Sequence, residues 1–131
     1  MRRAVILSSL FAVLLAPLAL AADDTPNAAE TRKKLTKKIT VEWKNAPFKE
    51  IVDDFKDTTG VNIILDTKGG ISQNRKFSYK AKDKPGSDVL SELLGDAAWG
   101  WFVVSKKGDA YDGTIRIRVS DERGTEKESS K

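Results

Sequence analysis

Polar, mostly cationic side chains recur at every second position in two short stretches of this 131-residue sequence. Lys76, Ser78 and Lys80 alternate with Phe77, Tyr79 and Ala81, and Arg116 and Arg118 alternate with Ile115, Ile117 and Val119. In an extended strand such alternation sends the polar set to one face and the apolar set to the other. If Thr40, Glu42 and Lys44 share that polar face, it carries five cations and one anion. Such a face attracts an anionic partner such as a cell-wall carboxylate, a lipid headgroup or an acidic protein surface. The bland reading is ordinary solvation, since lysine on strands also discourages edge-to-edge pairing.

Trp99 and Trp101 flank Gly100. Large rigid rings can form a platform for a sugar or a partner hot spot, or they can simply fill a small core. Strand register assigns Trp43 and Trp101 to the core and leaves Trp99 as the candidate contact residue. Lys76, Lys80, Arg116, Arg118 and Trp99 are therefore the expected partner-binding residues.

The composition excludes much chemistry. There is no His and no Cys, which removes His-dependent nucleophile systems, thiolate zinc sites and disulfides. Lys68-Gly69-Gly70 lacks the phosphate-loop pattern, and Asp53, Asp54 and Asp57 lack calcium-loop spacing. The expectation is a non-catalytic protein without cofactor or metal. The alternative is a small envelope enzyme or carbohydrate-binding protein, using carboxylates or lysine and its Trp residues on a cell-wall or surface polysaccharide.

The elements that position these residues follow from periodicity. Met1-Arg2-Arg3, the apolar run Ala4–Leu20 and the small residues Ala19 and Ala21 have the order of a signal peptide over 1–21, and thus a periplasmic or secreted product. Its loss takes the formal charge from +4 to +2, too little to indicate nucleic acid, and leaves no stable membrane insertion. Residues 22–38 read as a flexible charged arm, with helix possible around Ala28–Leu35, and 121–131 as a disordered charged tail. Between them, Ile39, Val41 and Trp43 mark a first strand. Asn45-Ala46-Pro47 then opens a helix whose buried stripe is Phe48, Ile51, Val52 and Phe55, closed by Gly60. Val61–Asp66 and Lys76–Lys82 are strands; Pro85-Gly86-Ser87 opens a second helix with Val89, Leu90, Leu93 and Leu94 inward and Ser87 as cap; Trp101–Val104 and Ile115–Val119 are strands. The predicted class is α+β, β-α-β-β-α-β-β, with two helices packed on one face of a small mixed sheet.

The succession Ile39-Thr40-Val41, Asn45-Ala46-Pro47-Phe48-Lys49-Glu50-Ile51-Val52, Thr59-Gly60-Val61-Asn62-Ile63-Ile64-Leu65-Asp66 and Ser87-Asp88-Val89-Leu90-Ser91-Glu92-Leu93-Leu94 resembles the short N-terminal domain shared by bacterial secretins and TonB-dependent receptors. The likeness spans residues 39–120. It implies a periplasmic α+β module without catalytic activity, which binds a protein partner in the envelope or associates with itself. No barrel, secretin domain or plug follows within these residues, so pore or transport function is not implied. Gly95-Asp96-Ala97-Ala98-Trp99-Gly100-Trp101 also replaces the family's usual turn after its second helix. The contact surface remains open among the cationic face, a sheet edge and the Trp99 region.

Overall fold

The described residues of the computed structural model are 24–127; the expected signal peptide lies outside them. Two ten-residue strands, β1 (Lys38–Pro47) and β3 (Lys76–Pro85), pair antiparallel as a sheet of their own. Ile39, Val41, Trp43, Phe77 and Ala81 are buried, whereas Thr40, Glu42, Lys44, Lys76, Ser78 and Lys80 are exposed, as alternation requires.

Each of these strands turns into a helix by the same device. Asn45 (φ 49°) and Asp83 (φ 51°) adopt left-handed backbone two residues before Pro47 and Pro85, a conformation that Asn and Asp tolerate better than most side chains. Their amides are held reciprocally: Asn45 N–H donates to Ser78 Oγ at 2.8 Å and Asp83 N–H to Thr40 Oγ1 at 3.1 Å. Helix α2 (Phe48–Thr59) follows the first turn and helix α3 (Gly86–Gly95) the second. The two β-α units are thus related by approximate two-fold symmetry.

The helix starts differ from expectation. Pro47 and Pro85 are themselves the N-caps, and neither helix has a side-chain cap, so Asn45 and Ser87 do not serve as caps. Backbone carbonyls take the free donors instead: Phe48 N–H bonds to Arg75 O, Lys49 N–H to Gln73 O and Gly86 N–H to Lys37 O. Gly60 does end α2 in the left-handed conformation (φ 83°).

A second sheet has the order β2-β5-β4-β6, with β2 (Ile63–Leu65), β4 (Trp99–Val103), β5 (Ile115–Val119) and β6 (Arg123–Gly124). β2 runs parallel to β5, β4 antiparallel to it, and β6 parallel to β4. The protein is α+β in the expected order, but its strands form two sheets with α2 and α3 between them. Trp43 Nε1–H donates to Asp54 of α2 and Tyr79 Oη–H to Glu92 of α3, each at 2.8 Å. From the other side Ile63 and Ile117 meet Phe48, Ile51, Phe55, Leu90 and Leu93 around a residual cavity of about 10 Å³. At one end the sheets converge, where Trp99 packs edge to face on Phe48 and Phe77 at 5.1 and 5.6 Å and those two rings lie tilted to each other at 5.5 Å.

Within the described residues, 24–38 and 121–127 of the charged flanks are more ordered than their composition suggests. Residues Pro26–Leu35 form helix α1, begun by Thr25, whose hydroxyl accepts from Ala28 N–H, and burying Ala28, Thr31 and Leu35. Its docking is largely polar: Thr25 Oγ1–H donates to Asp112 at 2.6 Å, Thr31 to the Gly113 carbonyl, and Arg32 to Asp24 and the Gly124 carbonyl. Low hydrophobicity therefore does not make residues 24–38 a free arm, because small buried side chains and long-range hydrogen bonds fasten them. Leu35, 2% exposed beside Gly86, anchors the helix. Leu35→Ala should cost about 2–3 kcal/mol, read as a lowered urea midpoint with an unchanged slope. Among the described residues no helix is long and apolar enough to cross a membrane.

Candidate binding surfaces

Register divides the side chains of the four-stranded sheet between its two faces. Ile63, Leu65, Ile115, Ile117, Trp101 and Val103 face the helices, and Ile64, Arg116, Phe102, Arg118 and Gly100 face away. The expected cationic face is consequently not one surface. Lys76 and Lys80 project from the two-stranded sheet and Arg116 and Arg118 from the other, and the helix layer lies between. Lys76 and Lys80 are exposed; Arg116 and Arg118 are half-buried. Trp99 is 5% exposed and packed against Phe48 and Phe77, with the Arg75 guanidinium 5.5 Å from its ring centre. It is a core residue and offers no platform. Trp43 and Trp101 are buried as well, and the Trp101 indole N–H donates to Ser91.

Arg118 is occupied by a partner that the sequence reading assigned to the disordered tail. Its Nε and Nη2 donate to Glu122 at 2.8 and 2.6 Å, a two-pronged ion pair, and its guanidinium covers the Phe102 ring at 4.7 Å. Glu122 is 2% exposed and also accepts from Ser120 Oγ and from Lys127 N–H, both at 2.8 Å. The stretch around it crosses the outward sheet face and forms β6, where Trp101 N–H bonds to Glu122 O. Arg118 therefore closes the sheet and is not free for a partner.

Burial alone raises the carboxyl pKa of Glu122, but the Arg118 hydrogen bonds, the Lys127 amide and the Ser120 hydroxyl outweigh it and hold the group below its ordinary value. A carboxylate lowered on folding stabilises the protein fully above its unfolded pKa of about 4.3 and loses that contribution as pH falls through the folded value. Glu122→Gln should cost about 2 kcal/mol at neutral pH. The gap between variant and parent should narrow once pH falls below about 4 and close as it falls through the lower folded value. Urea titrations at both pH values check this; an equal gap at both would show that the charge of Glu122 contributes nothing.

Besides the exposed lysine-bearing face and a groove of about 330 Å³ lined by Arg32, Ser87, Asp88, Trp101 and Arg123, two surfaces of the four-stranded sheet are open. The first is the outer edge of β2, beyond which no strand lies among the described residues. Ile115 N–H donates to Asn62 O and Asp66 N–H to Ile117 O, so residues 62, 64 and 66 direct their backbone groups at β5. Ile63 and Leu65 direct theirs outward. Beside that edge a groove of about 300 Å³ is lined by Lys49, Val52, Asp53 and Lys56 of α2, with Thr67 and Gln73. Its floor is partly apolar and its rim charged.

The second is a smaller cavity, about 100 Å³, on the outward face of the same sheet. Phe102 and Val104 line it, with Lys106, Asp109 and Tyr111 of the β4–β5 loop, Arg116, Arg118 and Glu126. The loop is braced: Asp112 accepts from Lys106 N–H and from Thr25 Oγ1–H, Asp109 accepts from Tyr111 N–H, and Gly113 N–H bonds to Val104 O. Sequence reading passed over Tyr111, Lys106 and Phe102. The available signal was an aromatic residue between Asp109, Asp112 and two glycines, a turn-rich setting in which an exposed ring has no core role. Among the described residues no cluster of three or more Asp or Glu could hold a metal ion.

Comparison with protein-family models, curated proteins and solved structures finds no significant match for this chain.

Proposed function

We propose that this protein is an exported, non-catalytic binding or assembly module of the cell envelope, similar in kind to the short N-terminal domain of secretins and TonB-dependent receptors. The observation that carries the reading is the open β2 edge beside the α2 groove. An extended segment of a protein partner can add there as a fifth strand, taking affinity from the outward N–H and C=O groups of Ile63 and Leu65 and selectivity from pockets for alternate side chains. Lys49 and Lys56 favour an acidic residue in that segment, and Val52 and Leu65 an apolar one.

A photo-crosslinking residue at Gln73 should capture the partner in intact cells, where the same residue at Lys80 should not. With the identified partner purified, amide exchange at Ile63 and Leu65 should slow, and that at Ile64, already bonded to β5, should change little. Protection confined to the two-stranded sheet, or capture only from Lys80, would transfer the contact to the lysine-bearing face and defeat strand addition.

A further inference from the structure

The charge excess of the chain lies on one ribbon. On the outward face of β1 and β3, Lys38, Thr40, Glu42 and Lys44 run beside Lys76, Ser78, Lys80 and Lys82, all of them exposed. Five lysines and one glutamate give this face a charge of +4, equal to the formal net charge of the entire chain, so the remainder balances to zero. Glu42 stands opposite Lys80 in the register and 3.5 Å from Lys44. Lys38, Lys76, Lys80 and Lys82 form no ion pair among the described residues, whereas Arg32, Lys84 and Arg118 elsewhere are matched by Asp24, Glu92 and Glu122. Lys37 and Asp83, at one end of the ribbon, cancel in charge.

We propose that this ribbon docks the protein on a bilayer rich in anionic lipid, as a peripheral contact without insertion. Ten residues at about 3.4 Å each make two rows of charge about 34 Å long, and none of the grooves described above is lined by these lysines. An open cationic strip suits headgroups, which move laterally to meet it and need no complementary shape. All five cations are lysine, a hydrated point charge without the planar fork that selects a fixed carboxylate or a base edge. No ring is offered for stacking on bases: Trp43 and Phe77 are buried, and Tyr79 turns to Glu92 of α3. The apolar anchors of a protein interface are missing too, since the exposed large apolar residues, Tyr111 and Val119, lie in the β4–β5 loop and at the end of β5. With the rest of the chain neutral, the field turns this face toward an anionic surface. The helix layer separates the ribbon from the four-stranded sheet, so a docked molecule leaves the β2 edge free and the proposal does not rest on strand addition.

The test is cosedimentation of the protein, purified from cells expressing the full chain, with vesicles of phosphatidylcholine alone or mixed with phosphatidylglycerol. Binding should require phosphatidylglycerol and vanish between about 0.1 M and about 1 M salt, as the Debye length falls from about 10 to about 3 Å. Each lysine removed should weaken binding about fivefold, and Lys76→Gln with Lys80→Gln about 25-fold. Glu42→Gln should tighten it severalfold. Lys49→Gln with Lys56→Gln, on α2, changes the net charge equally and should leave binding nearly unchanged. None of these side chains is buried, so an unchanged urea midpoint verifies the fold of each variant. Equal binding to phosphatidylcholine alone, equal losses in the two double variants, or no binding to the phosphatidylglycerol vesicles would each overturn the proposal. Polyglutamate binding more tightly than vesicles of the same total charge would overturn it as well, and assign the ribbon to an acidic polypeptide.

Discussion

Phe55→Ala is expected to lower stability by about 3–5 kcal/mol, a large share of the roughly 5–15 kcal/mol that holds a domain of this size together. Phe55 is 2% exposed and is the last apolar residue of the α2 stripe, and three helices meet around it. A Cβ on Gly86, at the start of α3, would lie 3.4 Å from both the Phe55 ring and the Leu35 side chain of α1. Around the small internal cavity its neighbours include Ile63, Leu90, Leu93 and Ile117. These come from β2, α3 and β5, so no single element can move inward to fill the lost volume, which favours the upper part of the range. Urea denaturation followed by Trp fluorescence reads the change, because Trp43, Trp99 and Trp101 are all buried and report global unfolding. An unchanged midpoint would mean that α2 packs in another register.

Gly100→Ala is the second large effect, and it arises from crowding instead of a void. A Cβ at Gly100 would collide with Ser120 Oγ and stand 2.7 Å from Glu122 N and 2.9 Å from Glu122 O. The first obstacle is a side chain, but the other two are backbone atoms of the segment that bonds to Trp101 N–H. Relief requires lifting residues 120–122 from the sheet, which strains the Arg118–Glu122 pair and uncovers Phe102. A cost of about 3 kcal/mol, at the upper end for overpacking, is expected. The double variant Gly100→Ala with Ser120→Ala separates the causes: it should recover only part of the loss, since the Glu122 backbone remains in the way. Complete recovery would show that the hydroxyl was the whole obstruction and that β6 tolerates displacement.

Glycine at position 100 illustrates where local reading stops. In the sequence it is a small residue between two Trp and carries no special signal; its need follows from a segment twenty residues later that crosses over it. The same holds for Glu122. Seven charged residues among the last eleven describe a solvated tail, yet one of those charges is buried because Arg118, Ser120 and the Lys127 amide surround it. Composition measures the average of a segment, whereas a buried ion pair needs only one well-placed member of it.

Residue order by itself determined the elements: the stripe Phe48, Ile51, Val52, Phe55, the stripe Val89, Leu90, Leu93, Leu94, and the alternations in β1, β3 and β5 bury the faces their periods assign, save that Tyr79 is half-buried and Val119, at the end of β5, is 53% exposed. Periodicity is a local property, since 3.6-residue and two-residue repeats are imposed by backbone geometry wherever one face meets an apolar environment. It states which face is buried and leaves open against what. Partner choice among strands is a long-range matter, and it separated β1 and β3 from the other strands, placed the helices between two sheets, and so parted Lys76 and Lys80 from Arg116 and Arg118. It also buried Trp99, docked α1 through polar bonds to the β4–β5 loop, and assembled Tyr111, Phe102 and Arg116 around one cavity. Those arrangements depend on which surfaces can be covered simultaneously in three dimensions, a condition that no window along the chain contains.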